Sequence, residues 1–62
     1  MFIELNTGRL LNLFWLDDVY VDIHDKKTVV YKMVNNAPRL EVFETEEEAT
    51  QRLEEVKTKL LQ

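Results

Sequence analysis

Apolar residues recur every three or four positions in the last third of the chain. The positions that follow this spacing are Ala49, Leu53, Val56 and Leu60. On an α-helix they form one narrow stripe, which is typical of a helix that buries a single face. Thr45 and Glu48 match a capping box, in which the threonine oxygen accepts the amide proton of residue 48. Glu48 and Arg52 are spaced to pair on the helix surface. The pattern predicts an amphipathic helix over about residues 46–61.

Five shorter segments before this helix have the composition or the alternation of β-strands. They span about residues 1–5, 10–13, 19–24, 28–34 and 39–43. The third is the clearest, because Val19, Val21 and Ile23 alternate with more polar residues and therefore share one face. A turn precedes the second strand and contains Gly8, the only glycine, where a positive φ is expected. The acidic residues 17–18 predict a bend before the third strand.

The order of the elements predicts the fold class. Short connections between neighbouring strands favour antiparallel pairing. We therefore expect an α+β fold in one domain, residues 1–62, with an antiparallel meander of four to five strands and the C-terminal helix packed on one face. The helix should lie on the side that carries the apolar residues of the third strand. The opposite face would show Tyr20 and His24, together with Val30 and Val34.

Charge and composition narrow the classes of partner. The net charge is −4; residues 1–43 hold five basic and six acidic side chains, and residues 44–62 hold three basic and six acidic ones. A general polyanion-binding protein would show a basic surface instead, so nucleic acid is not the expected partner. The absence of cysteine suits a reducing compartment. With no visible signal peptide and no apolar run long enough to span a bilayer, we expect a cytoplasmic protein without a membrane partner.

Residues suited to catalysis are sparse. The chain contains no serine or cysteine, and a single glycine rules out the Gly-rich phosphate loops. His24 is the only histidine and forms an Asp-x-His pattern with Asp22. A metal site needs three or four converging ligands, so we interpret His24 as a surface residue beside a polar turn. The sequence predicts no catalytic residue, no cofactor and no metal site, and hence a protein that is not an enzyme.

The apolar run at residues 14–16 adds apolar surface beyond what the single helix can bury. A large exposed apolar patch on a small protein commonly marks an interface, and small domains without cross-links often gain stability by oligomerising. We therefore expect an interaction or regulatory accessory module that self-associates, as a homodimer, with another protein as a further partner. The expected interface residues are Phe14, Trp15, Leu16, Tyr20 and Tyr31.

Binding of single-stranded nucleic acid is the alternative. The aromatic residues would stack on bases and the basic residues would contact phosphates. The set consists of Trp15, Tyr20 and Tyr31 with Lys26, Lys27, Lys32 and Arg39. The same aromatics are equally suited to a core and to cross-strand pairs, and the acidic net charge favours that interpretation.

The layout of the chain is similar to a known family. The segments that carry the likeness are Leu5-Asn6-Thr7-Gly8, Asn12-Leu13 and Phe43-Glu44-Thr45-Glu46-Glu47-Glu48-Ala49. Together with the intervening strands, they resemble the small flagellar FlbD-like proteins and short uncharacterised bacterial and phage proteins. The chain departs from that layout at Thr7 and at the run 14–16. The resemblance implies a small cytoplasmic accessory or regulatory protein, and it carries no catalytic residues.

Overall fold

The computed structural model describes residues 1–61. The strands are β1 (Phe2–Glu4), β2 (Leu10–Asn12), β3 (Leu16–Val21), β4 (Thr28–Met33) and β5 (Arg39–Val42); one turn of 3-10 helix spans Leu13–Trp15 and the α-helix α1 spans Glu46–Leu60. The predicted α+β class is confirmed. No helix among residues 1–61 combines the length and the apolar character needed to cross a membrane.

The strands form two sheets, so the predicted single meander is wrong. β1 pairs only with β2, while β3, β4 and β5 form a separate antiparallel sheet in that order. The break lies after β2, where the side chain of Asn12 accepts a hydrogen bond from the backbone N–H of Phe14 at 3.0 Å. This bond caps the 3-10 turn and redirects the chain before it reaches β3.

The β1–β2 hairpin is closed by the turn that the sequence predicts. The backbone N–H of Gly8 donates to the carbonyl of Leu5 at 2.9 Å, and the N–H of Leu5 donates to the carbonyl of Arg9 at 2.8 Å. Gly8 has a φ of 87°, a conformation that costs glycine little because it has no Cβ. The hairpin aligns Ile3 with Leu11, and both side chains are buried.

The three-stranded sheet has one covered face and one open face. Cross-strand partners share a face of the sheet. Tyr31 pairs with Val19 and Val29 pairs with Glu41, and we call the face that carries these pairs the inner face. Helix α1 covers the inner face. β3 begins at Leu16, earlier than predicted, because the acidic pair 17–18 lies within the strand at an irregularity in the register rather than in a bend before it.

The helix lies on the predicted side of the sheet. Val19 and Val21 pack against the core beneath it, as expected, but Ile23 lies beyond the end of β3 and is 79% exposed. Ala49 and Val56 of the predicted helical stripe are fully buried, whereas Leu60 is 45% exposed. The buried core consists of Ile3, Leu5, Leu11, Leu13, Val29, Tyr31, Ala49 and Val56.

Candidate functional site

The open side of the three-stranded sheet carries an exposed apolar surface, which we call the outer face. It consists of Tyr20, Val30, Leu40 and Val42 from three adjacent strands. Tyr20, Leu40 and Val42 are 43%, 56% and 60% exposed, and Val30 lies between them on the central strand. Three of these four side chains remain exposed within residues 1–61, and the face has the composition of a surface that packs against another apolar layer.

Polar groups border the outer face at both ends of β4. At one end the hydroxyl of Thr28 donates to the carboxylate of Asp25 at 3.0 Å. At the other end the ammonium of Lys32 lies 3.8 Å from the carboxylate of Asp17. An apolar centre with a polar border is the usual composition of a protein–protein interface.

A groove of about 410 Å³ lies between the hairpin and the three-stranded sheet. We call it the arginine groove, and its lining residues are Leu5, Arg9, Leu10, Leu11, Asn12, Trp15, Met33, Asn36 and Arg39. Leu5 and Leu11 are buried and give the groove an apolar floor, while Arg9 and Arg39 are exposed. Arg39 shares the inner face with its cross-strand partner Tyr31, so the groove lies on the side of the sheet opposite the outer face.

The 3-10 turn presents two exposed aromatic rings. Phe14 and Trp15 are 78% and 52% exposed, and their ring centroids lie 5.4 Å apart with an edge-to-face angle of 88°. The two rings belong to different depressions. Trp15 lines the arginine groove, whereas Phe14 lines a smaller hollow of about 180 Å³ together with Met1, Leu13 and Leu60.

A buried carboxylate connects the sheets and the helix. Glu41 is fully buried on the inner face of β5. Its Oε1 accepts a hydrogen bond from the hydroxyl of Tyr31 at 2.6 Å and lies 3.0 Å from Nε of Arg52. Its Oε2 accepts from the backbone N–H of Asn6 at 2.7 Å and from Nη2 of Arg52 at 3.1 Å.

This network joins the three-stranded sheet to the hairpin and the helix, and its Tyr31 and Glu41 side chains are fully buried. Burial raises the pKa of the Tyr31 phenol well above its ordinary range, and the hydrogen bond that it donates to Glu41 raises it further. The phenol therefore remains protonated and acts as a donor. A buried, fully paired cluster of this kind specifies packing rather than chemistry on a ligand.

Arg52 does not make the helix-surface pair that the sequence suggests. Its guanidinium pairs with the carboxylate of Glu41 and lies 3.4 Å from that of Glu55. The side chain of Glu48 instead accepts a hydrogen bond from the hydroxyl of Thr45 at 3.1 Å. The sequence carried no signal for this network, because the apolar residues Leu40 and Val42 alternate with Glu41 along β5 and would be expected to face the core instead.

The structure separates the residues expected at one interface. Tyr20 lies on the outer face, Phe14 and Trp15 lie on the 3-10 turn, and Leu16 is half-buried against the core. Tyr31 is fully buried, so the expectation that it is exposed at an interface is wrong. Tyr31 occupies the central strand on the face that the helix covers, and the apolar residues on both sides of this strand left its direction open in the sequence.

The expected platform for single-stranded nucleic acid is dispersed in the same way. Its three aromatics lie in the groove, on the outer face and in the core, and Lys32 pairs with Asp17. The exposed Lys26 and Lys27 lie in the turn between β3 and β4. Arg39 is the one basic member of the set that shares a groove with an aromatic ring, that of Trp15.

The Asp-x-His pattern forms a turn. The backbone N–H of His24 donates to the carboxylate of Asp22 at 3.1 Å, and His24 is exposed. Among residues 1–61 no group of three or more histidine or acidic side chains converges in a way that would hold a metal ion.

No protein-family model matches the chain, and the comparisons with curated proteins and with solved structures likewise gave no match. The resemblance to the FlbD-like flagellar proteins therefore stays a prediction.

Proposed function

We propose that the protein is a non-enzymatic interaction module that self-associates as a homodimer through its outer face. The single observation that supports this is the apolar cluster in which the exposed side chains of Tyr20, Leu40 and Val42 surround the buried Val30. The four side chains come from three adjacent strands, so they present one continuous surface rather than scattered exposed residues. Single exposed apolar residues are ordinary, whereas a contiguous cluster with a polar border favours association.

The geometry of the outer face suits pairing with an identical copy. Two sheets pack face to face at a separation of about 10 Å when their facing side chains are apolar. A twofold axis would place the same cluster on both sides of the contact, so the surface needs to be complementary only to itself. The second layer would then cover the sheet on the side that α1 leaves open.

The size of the chain supports the same proposal. A domain of 62 residues buries only about 60% of the surface that its unfolded chain exposes, and it is correspondingly marginal in stability. The chain has no disulfide to compensate. A dimer that buries the exposed parts of Leu40 and Val42 would gain about 25 cal/mol of stabilisation for each Å² of apolar surface removed from water.

The test measures the solution mass by light scattering after size-exclusion chromatography. It compares two variants that each replace an exposed aliphatic side chain with lysine. We expect the wild type to have about twice the 7.4 kDa chain mass and Leu40→Lys to shift it toward the monomer. Ile23→Lys is the matched control, because Ile23 is an exposed aliphatic residue of the same size outside the outer face. A wild-type monomer at every concentration, or equal effects of both variants, would contradict the proposed dimer.

A further inference from the structure

The arginine groove combines features that the fold itself does not use. Arg9 lies at the end of the hairpin turn and Arg39 begins β5, yet both line the same groove beside the ring of Trp15. Within residues 1–61 neither guanidinium takes part in an ion pair, whereas the third arginine, Arg52, is paired with Glu41. The chain has a net charge of −4, yet these two guanidinium groups lie at the groove without an acidic partner in the part of the chain that the structure describes.

We propose that this groove binds a short segment of a partner protein in which a carboxylate neighbours a bulky apolar side chain. A guanidinium matches a carboxylate through two parallel hydrogen bonds, so Arg9 and Arg39 would hold the acidic group. The apolar side chain would pack against Trp15 and the floor formed by Leu5 and Leu11. The volume of about 410 Å³ suits a ligand of a few residues.

Charge complementarity favours a peptide with one or two acidic groups over a polyanion. Residues 44–62 carry a charge of −3, which repels a ligand that has many negative charges. A single carboxylate interacts mainly with the two arginines nearest to it, because salt screens more distant charges beyond about 8–10 Å. The groove therefore selects for a local acidic group rather than for extended negative charge.

A second copy of the chain is a poorer occupant than a partner peptide. The most acidic segment of the chain follows Phe43, but Phe43 packs against the core and is not available as an anchor. Glu48 of the same segment is hydrogen-bonded to Thr45. The groove and the outer face lie on opposite sides of the sheet, so peptide binding and dimer formation do not depend on each other.

The only tryptophan of the chain reports directly on the groove. The experiment titrates the protein with the peptide acetyl-Ala-Phe-Asp-Glu-Ala-amide and follows Trp15 fluorescence. We expect a saturable change, and about tenfold weaker binding of the uncharged peptide acetyl-Ala-Phe-Asn-Gln-Ala-amide, since about 1.4 kcal/mol of charge-assisted hydrogen bonding corresponds to a factor of ten.

Variants of the basic residues distinguish binding at the groove from a general attraction between the peptide and positive charge. Arg9→Gln and Arg39→Gln should each weaken binding of the acidic peptide about tenfold. Lys26→Gln removes the same charge from an exposed turn outside the groove, and it should change binding less than about twofold. Leu40→Lys should bind the acidic peptide as the wild type does, whether or not it dimerises.

Three results would overturn the proposal. The first is the absence of saturation up to about 10 mM acidic peptide, which is weaker than any useful recognition. The second is equal binding of the acidic and the uncharged peptide, which would leave only an apolar patch. The third is tighter binding of a short oligothymidylate that Arg9→Gln and Arg39→Gln abolish, which would make the groove a site for single-stranded nucleic acid.

Discussion

The carboxylate of Glu41 connects four parts of the chain at the scale of single residues. It accepts hydrogen bonds from Tyr31 on β4, from Asn6 in the hairpin turn and from Arg52 on the helix. Arg52 also donates to the carbonyl of Glu4 on β1 at 3.3 Å, and its guanidinium carbon lies 6.0 Å from the ring centroid of Phe43. Burying a carboxylate without partners would cost a large amount of hydration free energy. The hydrogen bonds that Glu41 accepts offset this loss.

Removing the charge of Glu41 should therefore destabilise the whole molecule. We expect Glu41→Gln to lower the free energy of unfolding by about 2–4 kcal/mol, because Arg52 loses its buried counter-charge and one of the donors meets an amide N–H₂. Urea denaturation followed by circular dichroism measures this change. Glu47→Gln makes the same substitution at an exposed helix position and should change stability by about 0.5 kcal/mol or less. Equal costs for the two variants would mean that the network contributes little.

The raised pKa of Tyr31 predicts a loss of stability in alkaline solution. In the unfolded chain this phenol loses its proton above about pH 10, whereas burial keeps it protonated in the folded chain. The unfolded state then binds fewer protons than the folded state, so the free energy of unfolding falls as the pH rises above about 10, by at most about 1.4 kcal/mol per pH unit. The stabilisation is fully present below that pH.

The matched comparison for this effect is Tyr31→Phe. It removes the titrating hydroxyl, so its free energy of unfolding should fall less steeply than that of the wild type over about pH 10–11.5. The two proteins differ only at this hydroxyl, so the contributions of all other groups cancel in the comparison. Urea denaturation at several pH values gives both slopes. Parallel slopes would mean that Tyr31 ionises equally readily in the folded and unfolded chains.

At the scale of secondary structure, the ends of the elements are set by local hydrogen bonds. Helix α1 begins after Thr45, whose hydroxyl oxygen accepts the N–H of Glu48 at 3.2 Å. Three glutamates in the first turn and two lysines in the last turn match the helix dipole. The 3-10 turn is capped by Asn12 in the same manner. Both caps join a strand to a helical turn without a long loop.

The helix cap should make a measurable contribution to stability. Thr45→Ala removes the side-chain acceptor of the Glu48 N–H, and we expect a loss of about 1 kcal/mol in the free energy of unfolding. Thr50→Ala is the control, because Thr50 is exposed within the same helix, where alanine is the better helix former. Thermal denaturation by circular dichroism should show a lower midpoint for Thr45→Ala only. Unchanged midpoints for both variants would show that tertiary packing alone defines the helix start.

At the scale of the whole molecule, the chain has more apolar surface than one helix covers. α1 and the hairpin contribute to a common core on the inner side of the three-stranded sheet, and the outer face remains open. The opposite side carries the arginine groove, where the hairpin and the sheet meet. A small module with one surface for an identical copy and another for an acidic peptide would be able to bring two partner segments together.

The sequence by itself determined the elements that depend on local interactions. The helix and its cap follow from the spacing of Ala49 and Val56 and from Thr45, and the hairpin turn follows from Gly8. These features involve residues close together in the chain, so periodicity and turn chemistry are sufficient to predict them. The side of the sheet that the helix covers also followed, because the alternation in β3 assigns Val19 and Val21 to one face.

Only the tertiary structure decided which distant residues meet. The division into two sheets depends on which strands pair, and the burial of Tyr31 depends on how β4 is oriented beneath the helix. The pairing of Glu41 with Arg52 and the placement of Arg9 and Arg39 along one groove each involve residues from different elements. Such contacts arise when the chain folds back on itself, and the burial that makes them strong exists only in the assembled fold, so no local pattern in the sequence encodes them.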